Sequence, residues 1–284
     1  MRNAVVVAAA LLPLVAGCPP GPRCEAPASR RVALERVNAN LGQIQQPLSC
    51  TGLVSFRFRD DRDRTHSLTA QEARLIYRPP QDLYFDVRAT LGGSVARFGS
   101  NAERYWLWVD VGDARKLWWG TWEHASGGGE RRLPVPPNDL LDALLLRPLP
   151  ESLEGGQLPL LRVDGSDHRL IFVRIGPGHQ PSGWREVRLS PCEPYQPVEV
   201  VDRLPDGQVV MQARLDHYER VGGAGPYTAR RYVVQWPLHA AEMRLDILTA
   251  RFRSDPSVEV FAFPADWQGD SECLDAGGAE APTP

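Results

Sequence analysis

The sequence predicts a mainly β fold: a single strongly curved antiparallel sheet, an unclosed half-barrel, with an N-terminal helix and a short lid helix on its open side. Three observations predict it. About a dozen short segments alternate apolar and polar residues with a period of two, as half-buried strands do. Two segments, 30–45 and 138–146, instead carry apolar residues at helical spacing. Long helices do not alternate with strands, which argues against a doubly wound α/β sheet.

The chain opens with an address. Arg2 is a basic start, and residues 4–15 form an apolar run of about a dozen, short of the roughly 20 needed to span a bilayer. Leu14-Val15-Ala16-Gly17-Cys18 looks like a bacterial lipobox, so residues 1–17 read as a lipoprotein signal peptide and Cys18 as the lipidated first residue of the mature chain. The bland alternative is a plain secretory signal with an incidental cysteine. Pro19 stands where an Asp would suggest inner-membrane retention. The expected location is therefore the cell envelope, outer membrane facing the periplasm rather than inner membrane.

Removing residues 1–17 leaves about 267, enough for one large β-rich domain or two small ones. The net charge is −3, Lys116 is the only lysine, and no basic run points to nucleic acid. Cys24, Cys50, Cys192 and Cys273 allow two disulfides in three pairings, one disulfide, or four thiols, and none has zinc-ligand spacing.

Residues 18–29 read as a Pro-rich tether. Ser29 is the expected N-cap of a helix to about Gln45, with Leu34, Val37, Leu41 and Ile44 as its apolar stripe. Six strands follow, around "TGLVSFRFRD", "AQEARLIYRPP", "DLYFDVRAT", "SVARFGS", "ERYWLWVD" and "RKLWWGTWE". After the loop "ASGGGERR", the stretch "PVPPNDLLDALLL" reads as a short helix capped by Asn138 and ended by Pro148. Six or seven further strands run from "DHRLIFVRIG" to "SVEVFAF". The β domain is thus 30–267, and 268–284 reads as an acidic, disordered tail.

Residues 104–123 hold five of the eight tryptophans. Alternation puts Trp106 and Trp108 on one face and Tyr105, Leu107 and Val109 on the other, while Trp119 opposes Trp118 and Trp122. Five tryptophans so divided cannot form one membrane-facing patch. The hairpin is expected to be covered on both sides, by the sheet interior and by a second packed layer.

An enzyme is not expected. The six histidines are scattered, no G-x-S-x-G elbow occurs, and the Asp/Arg run at 59–64 reads as a solvated turn. No catalytic residue, metal or cofactor is assigned.

The order of elements resembles the LolA/LolB family of periplasmic lipoprotein carriers and receptors, an unclosed β-barrel with helices as a lid. "RATLGGSVARFG" is similar to the loop of the outer-membrane receptor branch, with Thr90 in place of the usual proline, and "PVPPNDLLDALLLRPLP" to the family's Pro-flanked lid helix. The resemblance implies binding of acyl chains or lipoproteins in an apolar half-barrel and a role in outer-membrane lipoprotein localisation. It also implies a periplasmic carrier as partner and Leu91 as the tip that touches the membrane. Cavity candidates are Val54, Phe56, Phe58, Leu75, Tyr77, Phe85, Trp106 and Trp108, with Leu140, Leu144 and Leu145 opposite. The same residues would serve equally in a dry core, giving a scaffold lipoprotein of the same fold with a filled cavity; a lipid-anchored hydrolase is a third reading. A monomer is expected.

Overall fold

The computed structural model describes residues 24–59, 63–90, 92–111, 114–123, 135, 137–152, 159–176, 179–254, 256–265 and 267–275. Cys18 and Leu91, the expected anchor and membrane tip, lie outside the described residues.

Helix α1 (Arg30–Leu41) begins where the sequence places it, with the Ser29 hydroxyl accepting from the Val32 N–H at 3.3 Å. It ends at Leu41, four residues before the predicted Gln45, as the Gly42 N–H returns to the Asn38 carbonyl. Ala33, Leu34, Val37 and Leu41 are its buried stripe.

Six strands follow in an antiparallel meander: β1 (Leu48–Arg59), β2 (Thr65–Arg78), β3 (Asp82–Arg88), β4 (Ser94–Ser100), β5 (Arg104–Val111) and β6 (Ala114–Thr121). Helix α2 (Pro137–Leu144) comes next. The second set is β7 (Leu160–Asp164), β8 (Asp167–Ile175), β9 (Pro181–Leu189), β10 (Pro197–Arg203), β11 (Val209–Asp216), β14 (Arg231–Trp236) and β15 (Ala241–Phe252). The two-residue strands β12 (Glu219–Arg220) and β13 (Tyr227–Thr228) pair apart from the rest. The final strand, β16 (Asp270–Cys273), lies parallel beside β6.

Among the described residues the main sheet has fourteen strands, with β16 and β7 at its unclosed edges and β1 paired to β15 where its two halves join. A bulge sits at that junction: Thr51 opposes Thr249 and Gly52 opposes Ile247, which leaves Leu248 unpaired. A Cβ on Gly52 would stand 2.2 Å from the Asp246 carbonyl oxygen, so only glycine fits the close approach. Bulges increase local twist and bend, and here one lies midway round the sheet.

The curvature follows from α2. It packs on β4 and β5 and also on β11, and β4 and β11 are six strand positions apart. In a flat sheet that is about 29 Å, against a helix about 10–12 Å across. One short helix touches both only because the sheet curls round it. Leu140, Leu141, Ala143 and Leu144 are accordingly buried.

Four expectations need correction. "SVEVFAF" forms a single 3-10 turn over Val258–Phe261, because its Ser257 hydroxyl caps the Glu259 N–H and pulls the backbone out of the extended form. Residues 268–275 of the tail are not disordered: β16 pairs with β6, Leu274 is buried, and the Asp275 carboxylate accepts from the Thr121 N–H and hydroxyl. Asn138 is not the cap of α2 but its second residue, because Pro137, preset for helical φ, starts the helix. The tether does not run free to residue 29, since Cys24 is disulfide-bonded to Cys192. Cys50 and Cys273 remain thiols.

Candidate functional site

The sheet interior brings together nine of the eleven cavity candidates: Val54, Phe56, Phe58, Leu75, Tyr77, Phe85, Leu140, Leu144 and Leu145. None is more than 7 % exposed, and the rings interlock, with Phe56 edge-on to Phe98 at 6.1 Å and Phe85 stacked on Phe98 at 5.7 Å. These side chains therefore pack mainly against one another and the lid helix.

Trp106 and Trp108 do not join them. Both lie on the outer face of β5, in a separate cluster with Leu117, Trp119, Phe263 and Trp267. The reason is local: Gly99 faces Trp106 across β4, and its missing side chain leaves the hollow that the indole fills. The C-terminal segment then covers them, with Phe263 edge-on to Trp106 at 5.7 Å and Trp267 edge-on to Trp108 at 5.6 Å. Trp118 packs with the main core, Trp122 lies against it, and Trp119 belongs to the outer layer.

An opening survives at one end of the half-barrel. It has a volume of about 370 Å³ and is bounded by Leu41, Ile44, Tyr77, Pro79, Pro80, Leu146 and Pro148, with Gln45 and Arg147 at its edge. Its lining is almost wholly apolar. Three elements build it: the end of α1, the turn from β2 to β3, and the chain leaving α2. Leu145 adopts a left-handed backbone conformation (φ 47°), which ends the helix and turns Leu146–Pro148 towards the mouth. The Tyr77 hydroxyl donates to the Pro80 carbonyl at 3.0 Å, so the one phenol here is satisfied within the wall. Burial pushes its pKa up to about 12 and keeps it neutral.

Beside the mouth lies a cluster of charge that sequence reasoning missed. Asp142 on α2 accepts from Arg147 at 2.5 Å and from Arg185 on β9 at 2.7 Å. Arg185 also holds Asp202, its direct neighbour on β10, at 2.6 and 2.8 Å, and Arg174 on β8 stands 3.8 Å from the same carboxylate. Burial by itself would raise the Asp142 carboxyl, but Arg185 and Arg147 hold it below the usual carboxylate range. Asp142, Arg185 and Asp202 are far apart in sequence, and only the strand register and the docking of α2 unite them.

Among the described residues no group of His, Cys, Asp and Glu could hold a metal ion. No described helix is long and apolar enough to cross a membrane.

No family model matches the sequence, and no curated protein matches it. Solved structures do resemble it. A LolA superfamily protein from Nitrosomonas europaea superimposes over 83 % of this chain and 98 % of its own, with a TM-score of 0.50 at 10 % identity. A DUF1329 family protein from Desulfovibrio piger covers 82 % of this chain and 96 % of its own, with a TM-score of 0.49 at 12 % identity. At such identity the likeness is one of fold. The chain is a curled, unclosed β-barrel of the kind seen in that LolA superfamily protein.

Proposed function

We propose that this protein is a lipid-anchored component of the cell envelope that binds acyl chains, or the acylated ends of lipoproteins, at the open end of its half-barrel. The observation that carries the reading is the apolar mouth of about 370 Å³ between α1, the β2–β3 turn and the chain after α2. That volume is within the range of small-molecule sites, and an almost wholly apolar wall selects for hydrocarbon. The fold shared with a LolA superfamily protein supports the same reading.

On this reading Cys18 carries the anchor and Leu91 contacts the bilayer. The protein works as a monomer on the periplasmic side of the outer membrane, takes cargo from a periplasmic carrier, and uses no metal, cofactor or nucleic acid. Binding needs no reactive group, and the reading includes no enzymatic step.

The test uses the mature chain with Cys18→Ser and a fluorescent acylated peptide. Saturable uptake is expected, and Gln45→Trp, which places an indole across the mouth from an exposed position, should abolish it. A correctly folded protein that takes up no acylated peptide overturns the reading.

The packed interior favours a second reading, a scaffold lipoprotein of the same fold, since Val54, Phe85 and Leu140 are each at most 1 % exposed. Capture of an envelope partner by a protein free of co-purifying lipid would select it.

A further inference from the structure

Two clefts meet at one wall. The apolar mouth shares Arg147 and Pro148 with a second cleft of about 310 Å³, which also contains Asp142 and Arg185. One side is hydrocarbon-like and the other is ionic, and Arg147 belongs to both.

Asp142 holds both Arg147 and Arg185, and Asp202 holds Arg185 from its other side, with the part-exposed Arg174 3.8 Å from Asp202. Arg147 is the member of this cluster that reaches the apolar opening, where an anion sharing its guanidinium is favoured. Asp142 divides its two oxygens between Arg147 and Arg185, and the Arg147 side chain keeps 31 % of its surface exposed. Its remaining guanidinium donors can turn to a ligand.

We infer that this end of the half-barrel binds a single-chain anionic amphiphile, its acyl chain in the mouth lined by Leu41, Ile44 and Tyr77 and its carboxylate or phosphate head on the Arg147 guanidinium. The inference rests on the acyl-binding reading above and narrows it, from any acylated cargo to a monoacyl anion. Arg147 sets the head-group preference, and the apolar wall supplies the affinity common to charged and uncharged chains.

The experiment compares four probes on the mature chain carrying Cys18→Ser: a fluorescent long-chain fatty acid, its methyl ester, a monoacylglycerol phosphate and an acylated peptide. The acid is expected to bind roughly tenfold or more tightly than the ester, as a charge-assisted hydrogen bond allows. Arg147→Gln should bring the acid to the level of the ester and leave the ester unchanged, while Arg147→Lys restores part of the preference. A preference for the phosphate but not the carboxylate assigns the head group to lipid phosphate, and the reverse assigns it to free fatty acid. Acid and ester binding equally to the unmutated site overturn the inference. If the acylated peptide still binds in that case, the acyl-binding reading stands without it; if none of the four binds, both fall.

Discussion

One sheet finishes its outer face in two different ways. Over β4–β6 that face is aromatic: Trp106, Trp108 and Trp119 lie under Phe263 and Trp267, which the C-terminal segment lays across them. Over β8–β11 it is a ladder of charge. Arg169 holds Glu186 at 2.8 Å, Trp184 donates to the same carboxylate at 2.9 Å, and Arg188 and Gln212 reach Glu199 at 3.1 and 2.8 Å. The first solution withdraws large rings from water, about 150–250 Å² each, and contributes several kcal/mol. The second leaves the surface wet and contributes roughly 0–1 kcal/mol per pair. The aromatic half thus depends on a segment more than a hundred residues away in sequence, whereas the ionic half is completed by its own neighbouring strands.

The largest effect that would break this contrast is at Trp106. Trp106→Ala empties the hollow over Gly99 and removes the seat of Phe263, so urea unfolding should show a loss of about 3–5 kcal/mol, with earlier exchange of the β16 amides. A loss below about 1 kcal/mol would show that the aromatic layer is ornamental.

Acid should act next, and on the charged side. Burial pushes the Glu186 carboxyl up, but Trp184, Arg169 and Arg203 together hold it below its usual value, as arginines do for Asp142. Groups depressed in the folded state stabilise fully above their unfolded pKa of about 4, and that contribution is lost as pH falls through the folded value. The urea midpoint should therefore drop between about pH 5 and pH 3. In Glu186→Gln the midpoint at pH 7 should be lower and the drop shallower; an unchanged slope would remove Glu186 from the account.

The smallest effect is expected at the exposed end of the ladder. Arg214 stands 3.5 Å from Glu199 with a 69 % exposed side chain, and Arg214→Gln should change stability by less than about 0.5 kcal/mol at 0.15 M salt. A cost near that of Trp106→Ala would mean the two faces are energetically alike.

The same contrast governs what the sequence could reveal. Alternation in β1–β3 and β8–β11 reads directly as inside and outside, because polar residues mark the outer face, and the Ser29 cap announces α1. In β5 both faces are apolar, so alternation shows that Trp106 and Trp108 share a side but not that the side is the outer one. The deciding residue is Gly99 on the neighbouring strand, together with a cover by Phe263 and Trp267, the first of which belongs to a stretch, 257–263, whose pattern resembles a strand. The acidic composition of the tail concealed β16, because four residues beside β6 need little apolar content to pair. The Asp142–Arg185–Asp202 cluster has no local signature: Asp142 looks like an ordinary helix carboxylate, and Arg185 like an outward strand arginine. The mouth is likewise made of ordinary residues, and Tyr77 is its one member among the cavity candidates that the sequence offers.

The Cys24–Cys192 bond has a mechanical consequence. It rivets the start of the described chain to the turn between β9 and β10, beside which the Tyr195 hydroxyl also grips the Glu25 carbonyl at 3.0 Å. Residues 24–29 are thereby clamped at one end by the disulfide and at the other by the start of α1, so the approach to the helix is part of the domain. Reduction would open the covalent clamp and leave only the Tyr195–Glu25 hydrogen bond to hold that approach in place. The oxidation state of one bond thus sets how firmly the segment ahead of α1 is fastened to the β9–β10 corner.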